Sequence, residues 1–356
     1  MRSVTMGISP FDLENCDVDW VVQRIRRELS AASFNLDFFE WADNFLLTKT
    51  AKTRGLYNSS VNSFTRFLGA RKCDINSISK SMLQRYAEWV EHQPKMYYCY
   101  GRGELIPTSH QKMKGASSAI HLKRLQHIFE AAKNRYNDED TGEVLIGRSP
   151  FSSFSKVVPV YAGQPNLGRE LMQRLISYQT DDRIVRFALD VFIISFGLRG
   201  ANLADLYDAG MVEGSTWVYH RMKTRNRVKT QKAVEARVDI PDELRPFIVR
   251  LQEQGSDLWL PVLHSYGGSS KNNCCGKINR GLARWCQQNG VKKFTLYAAR
   301  HTWASLARSI GIEKATVDEC LVHKGDYALT DIYAERAWHL HKEANRKVLC
   351  LFEWPI

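Results

Sequence analysis

The chain has 356 residues, 44% hydrophobic and 25% charged, a balance that builds packed cores and excludes an intrinsically disordered chain, with length enough for two or three domains. Fifty Lys and Arg against 38 Asp and Glu leave a formal charge of +12, a surplus that suggests a polyanionic partner, with nucleic acid ahead of an acidic membrane surface. The longest apolar run, Phe187 to Leu198, is too short to cross a bilayer and contains Asp190, so it reads as a buried helix and no membrane association is expected.

The first 34 residues form an extension with a weak helical signal around Val21 to Leu29. They carry acids and a proline where a secretory signal would be uninterruptedly apolar. The eight cysteines are scattered, without a CxxC pair or a histidine at finger spacing, which points to reduced thiols, no metal and no disulfide scaffold. An intracellular, cytoplasmic protein is expected.

From residue 35 to 150 the pattern is helical. Phe38, Trp41 and Phe45, then Tyr57, Val61, Phe64 and Leu68, recur at the three-four spacing of a core face. Ser79 is the expected N-cap of a third helix carrying Met82, Tyr86 and Val90, which ends near Gln93-Pro94. Lys95 to Thr108, rich in Tyr, Gly and Pro, reads as a loop. A long helix from Ala116 to Tyr136 follows, with Ile120, Leu125, Ile128, Phe129 and Ala132 inward. Lys112, Lys114, Lys123 and Arg124 stand around that face, as a solvated surface or as contacts to a phosphate backbone.

Residues 151–166, with their Ser and Pro clusters, read as an interdomain linker, and 167–356 as a second domain. Helices are expected at about 168 to 178 and 182 to 197. A hairpin should follow, with Trp217 to Tyr219 and then Val234, Ala236, Val238 and Ile240 alternating as half-buried strands up to Pro241. Helices occupy the remainder, the last with Ala337, Leu340, Ala344, Val348 and Leu351 on one stripe, and His339 and His341 on its solvated face.

Four stretches of this second half carry groups suited to a phosphodiester: Arg199 in SFGLRGANLADL, Lys223 in YHRMKTR, Arg300 in YAARHTWASLA, and His323 with Tyr333 in LVHKGDYALTDIYAER. Negative charge grows on the non-bridging oxygens as a phosphodiester is attacked, and planar, permanently charged guanidiniums hold it best. Each arginine follows an apolar segment that can bury its stem. Lysine and histidine can move protons, and tyrosine can serve as a nucleophile.

With these residues in this order the chain resembles the tyrosine recombinases, or phage-type integrases, from about residue 35 to 350. The resemblance implies a mainly α protein with a small β-sheet: a helical core-binding domain and a tyrosine-recombinase-like α+β catalytic domain that together form a clamp on DNA. It further implies site-specific cleavage and rejoining of DNA through a 3′-phosphotyrosyl intermediate, independent of metal and ATP, with no cofactor. Arg199 and Arg300 would hold the phosphate, Lys223 would protonate the leaving hydroxyl, His323 would take or orient the tyrosine proton, and Tyr333 would attack. Arg225, Arg227, Lys229 and Lys232 would contact phosphates, Lys229 and Lys232 being rivals to Lys223 as general acid. Tyr327 is a rival to Tyr333 but falls directly after Lys324-Gly325-Asp326.

The chain departs from the family pattern at three places. Tyr297 replaces the first histidine of His-x-x-Arg, as in a branch from bacterial mobile elements, and can donate to a phosphate oxygen without readily taking a proton. Leu321-Val322-His323 replaces Leu-Gly-His, and Asn202 stands where an acid is usual, with Asp205 as its substitute. The same resemblance implies a monomer when free, a tetramer on synapsed DNA with the C-terminal helix docked on a neighbour, and a nucleoid-associated location. A type IB topoisomerase or a catalytically silent DNA-binding protein are the other readings.

Overall fold

A computed structural model describes Val22 and residues 34–99, 104–112, 115–154, 166–207, 211–221, 235–252, 259–267, 270–322 and 337–355. The chain divides into two units, Met1–Ala162 and Gly163–Ile356. Among the described residues no helix is long and apolar enough to cross a membrane.

In the first unit, helix α1 (Phe38–Leu47) starts at Asp37, whose carboxylate accepts the N–H groups of Phe39 and Glu40 at 2.9 Å and so satisfies two donors that a helix start leaves unpaired. Helix α2 (Ala51–Leu68) ends at Gly69, which adopts φ 72. Ser79 caps α3 (Lys80–His92) through the Met82 N–H at 3.2 Å, as its sequence predicts. Helix α4 (Gly115–Tyr136) packs on α1, α2 and α3. Their core is aromatic: Phe38, Phe39, Phe64, Tyr86 and Phe129 are all nearly sealed from solvent, joined by Leu83, Leu125 and Ile128. Burial of each such side chain stabilises by about 1.5–3 kcal/mol before entropy is set against it.

The segment expected to be a loop between α3 and α4 is an antiparallel ribbon of β1 (Pro94–Cys99) and β2 (Glu104–Lys112), with Tyr97 opposite Ile106. The register shifts between Pro94 and Met96, and the Tyr pair and Ile106 have the propensity of strands.

The second unit is built around α6 (Arg183–Gly197), preceded by α5 (Gly168–Ile176). Asp182 caps α6, and every residue from Phe187 to Gly197 is buried. Helix α10 (Lys271–Gln288) lies against it so closely that a Cβ at Gly281 would stand 2.5 Å from the Ala188 Cβ and from the Ile184 carbonyl oxygen. Asp190, the charge inside the apolar run, is held by both Nε and Nη2 of Arg250 at 2.9 and 2.6 Å, so its burial is offset by a two-pronged partner.

After α7 (Leu203–Tyr207) comes a three-stranded antiparallel sheet in the order β3 (Met211–Glu213), β4 (Thr216–His220), β5 (Glu235–Asp239). Strand β3 is too short to stand out in the sequence. The expected alternation holds in β5, where Ala236 and Val238 are buried and Arg237 is exposed. It fails in β4, whose Trp217, Val218 and Tyr219 are all buried, because this middle strand is covered on both faces. The unit continues with α8 (Arg245–Val249), α9 (Val262–Gly267), α11 (Ala298–Ser309), α12 (Lys314–Cys320) and α13 (Trp338–Leu349).

Two expectations for the last helix are corrected. Leu340, placed on its apolar stripe, is 44% exposed. His341, placed on the solvated face with His339, is buried and bonded through Nε2 to Glu319 at 2.8 Å, while His339 is exposed. The residues that pack are His341, Ala344, Asn345, Val348 and Leu349, which keep Ala344 and Val348 of the expected stripe.

Candidate active site

The end of α6 sets the first arginine. The helix stops because two successive residues turn left-handed, Arg199 at φ 58 and Gly200 at φ 67. Ser195 pins the turn from within the helix: its hydroxyl donates to the Ala201 carbonyl at 2.7 Å and its carbonyl accepts the Ala201 N–H at 3.1 Å. A non-glycine residue in this conformation costs about 1–3 kcal/mol and persists only where its surroundings dictate it. Arg199 is 4% exposed. Its Nη2 donates to the Arg237 carbonyl on β5, and its Nε is buried without a hydrogen-bond partner among the described residues.

Gly200 then touches the second arginine. A Cβ on Gly200 would lie 2.5 Å from the Arg300 Cα, so the α6 turn and the first turn of α11 meet backbone to backbone. Arg300 is 5% exposed and donates through Nη1 to the Gly200 carbonyl at 3.0 Å and through Nη2 to the Leu321 carbonyl. Burial, and next the positive charge of Arg221, pull its pKa below the ordinary arginine value. Burial disfavours the charged form, and a like charge nearby adds to that.

Arg221, at the end of β4, is a third buried guanidinium, 8% exposed, and donates to the Val322 carbonyl. Beside the three arginines sits Tyr219, whose hydroxyl is pushed up to about 12 by burial first and by Asp205 second, against the pull of Arg199, Arg300 and Arg221. Asp205, on α7, is itself 4% exposed. Three guanidiniums thus gather around one buried carboxylate and one phenol, a cluster of net positive charge. The Cys320 thiol, raised by burial and lowered by Arg199, borders it.

Val322 closes the far side. Helix α12 ends at Cys320, and Val322 takes φ 53 in the position beyond its cap where glycine is the usual occupant. A β-branched side chain in this region is a genuine outlier.

Of the residues singled out in the sequence, the structure brings together Arg199 and Arg300. Tyr297 stands at the start of α11, 47% exposed, with its ring edge-on to His301 at 5.0 Å. His301 is partly exposed, and its pKa is lowered by burial first and by Arg300 second. The Asn202 carbonyl accepts the N–H groups of Asp205 and Leu206 at 2.9 and 3.1 Å, and Asp205 joins the cluster. Lys223, Arg225, Arg227, Lys229, Lys232, His323, Tyr333 and Lys114 lie outside the described residues. Lys112 ends β2, and Lys123 is exposed on α4. Arg124 donates to the Leu56 carbonyl at 2.9 Å and to Ser60 Oγ at 3.4 Å, which ties α4 to α2. Sequence reasoning missed Arg221 and Tyr219. Tyr219 had a signal, because the strand pattern already placed it in the sheet, but Arg221 stood in a run of cations with nothing to single it out.

Residues 37–141 match the model of the phage integrase SAM-like domain. No curated protein matches the chain. Among solved structures, a lambda integrase dimer bound to a COC′ core site aligns with a TM-score of 0.55 at 12% identity, over 92% of this chain and 85% of that one. A lambda integrase tetramer bound to a Holliday junction aligns at 0.54 and 12%, over 82% and 79%. The Tn1549 transposon integrase in complex with transposon right-end DNA aligns at 0.53 and 13%, over 88% and 100%. Mainly helical, with a small sheet in its second unit, the chain has the fold of these integrases.

Proposed function

We propose that this chain is a site-specific DNA recombinase of the tyrosine type, which cuts and rejoins DNA strands through a covalent phosphotyrosyl intermediate. The observation that carries the reading is the buried pair Arg199 and Arg300, locked together through Gly200, in a chain with the fold of DNA-bound integrases.

On this reading the two guanidiniums hold the non-bridging oxygens of the scissile phosphate and stabilise the charge that builds there. The Tyr333 oxygen forms a bond to phosphorus as its proton passes to His323 or to solvent. The bond from phosphorus to the 5′ oxygen breaks, and Lys223 supplies the proton that makes the leaving group a 5′-hydroxyl. A second DNA end reverses the step: its 5′-hydroxyl attacks, and Tyr333 leaves. Phosphodiester is exchanged for phosphotyrosine and back, so the step is close to isoenergetic and draws on neither a nucleotide nor a metal. Tyr297, exposed at the start of α11, is positioned by sequence one turn before Arg300, where a phenol can donate to a phosphate oxygen but not act as a base. Lys112, Lys114, Lys123, Arg225, Arg227, Lys229 and Lys232 serve as backbone contacts, with residues 35–150 and 167–356 as the two halves that grip the duplex. A nucleoid-associated, cytoplasmic enzyme follows from a DNA substrate.

A nicked suicide duplex tests the proposal. The chain should form a covalent adduct with the 3′ end, and Tyr333→Phe should abolish it while binding persists. Binding without an adduct on the true site would leave only a DNA-binding protein. Adduct formation followed by relaxation of one duplex, without exchange between two, would point instead to topoisomerase chemistry.

A further inference from the structure

Arg221 has no task in the cleavage chemistry, yet it is buried and engaged. Its guanidinium donates to the carbonyl of Val322, 101 residues away in the chain. The neighbouring carbonyl, Leu321, is taken by Arg300, and the Val322 N–H reaches the Glu319 carbonyl at 2.8 Å. The strained left-handed turn is thus fixed by two arginine bonds and one backbone bond.

The sequence gives that fixation a purpose. Arg221 stands two residues before Lys223, and Val322 stands one residue before His323. One hydrogen bond therefore ties together the two points at which the chain enters its proton-handling residues. Glycine at 322 would adopt the turn unaided, and valine does not. We propose that Arg221 is a positioning residue, which clamps the left-handed turn at Val322 and so holds the end of β4, two residues before Lys223 in the chain, to the turn one residue before His323. The proposal rests on the recombinase reading for its consequence in cleavage, and on the turn alone for the clamp itself.

The test compares Arg221→Met, Val322→Gly and the double variant in the full chain, with three readouts: adduct formation at saturating suicide duplex, duplex affinity, and hydrogen exchange of the peptide spanning 317–322. Arg221→Met should slow adduct formation on the order of tenfold to a hundredfold, the scale of a displaced catalytic group, with affinity unchanged. Exchange in the turn should quicken by roughly tenfold, as expected when a local opening loses a bond. Adding Val322→Gly should restore most of the lost rate, because the turn no longer needs holding. Should Arg221→Met fail to fold, Arg221→Lys, which keeps charge and a donor, is read in the same three ways. Affinity falling in step with adduct formation would make Arg221 a phosphate ligand and overturn the proposal, as would a double variant no faster than the single. If the wild-type chain forms no Tyr333-dependent adduct, the recombinase reading fails, and the exchange measurement alone decides the clamp: faster exchange supports it and unchanged exchange refutes it.

Discussion

At Gly200 the backbone leaves no room for a side chain, since a methyl group there would enter the Arg300 backbone and would also have to accept φ 67. Gly200→Ala should therefore lower stability by about 3 kcal/mol, from backbone strain and overpacking together, and should cost adduct formation more than DNA binding. Urea unfolding beside the suicide-duplex assay checks both; a variant of wild-type stability would mean that the two backbones can part without loss. His121, 6% exposed and bonded to Ser60 Oγ at 2.8 Å, carries a different expectation. Burial first, then the charges of Arg124 and Arg66, bring it from 6.5 to about 4. Between those values the unfolded chain binds a proton that the folded chain refuses, so stability is present above pH 6.5 and is lost as pH falls through the window. From pH 6.5 to 5 the loss should be roughly 1–2 kcal/mol. Urea unfolding should show a shallower pH slope in His121→Gln, and equal slopes would count against the buried neutral imidazole.

Among the elements, α13 is held by Asn345 as much as by its apolar stripe. The Asn345 amide nitrogen donates to the Gly197 carbonyl at the end of α6 at 2.9 Å, and its oxygen accepts from Trp303 Nε1 on α11 at 2.8 Å. One amide thus joins the last helix to the two that carry Arg199 and Arg300. Asn345→Ala would strand a buried carbonyl and a buried indole N–H, a cost of about 2–4 kcal/mol, and thermal melting should register it; a change within measurement error would mean that water replaces the amide. The long helices were legible in the sequence because their caps and three-four periodicity are local, as at Ser79 and along Phe187 to Leu198. The pairing of Arg199 with Arg300 was legible from residue types in order. What escaped depends on contacts between distant segments. The ribbon from Pro94 to Lys112 is strand by pairing and loop by punctuation, and Arg221 is a cation among cations until a carbonyl from α12 reaches it. His341 could have been found, since it stands three before Ala344 and seven before Val348, on the stripe itself.

For the whole molecule, the expected assembly on DNA now has a constraint. The apolar face of α13 packs on α11, α12 and β5 of its own unit, so it is already occupied and docking on a neighbour must use other surface. Sedimentation of the chain with and without synapsed duplexes should still give a monomer when free and four chains on two duplexes when bound. One chain per duplex at every ratio would exclude the tetramer. Binding should also weaken steeply with salt, as the +12 charge implies. The full burial of α6 bears on time rather than on structure. Amide protons from Phe187 to Gly197, sealed in the middle of the unit's core, can trade with solvent only when that core comes apart. Arg199 stands just past the end of this segment, so the backbone that carries it stays anchored for as long as the unit stays folded.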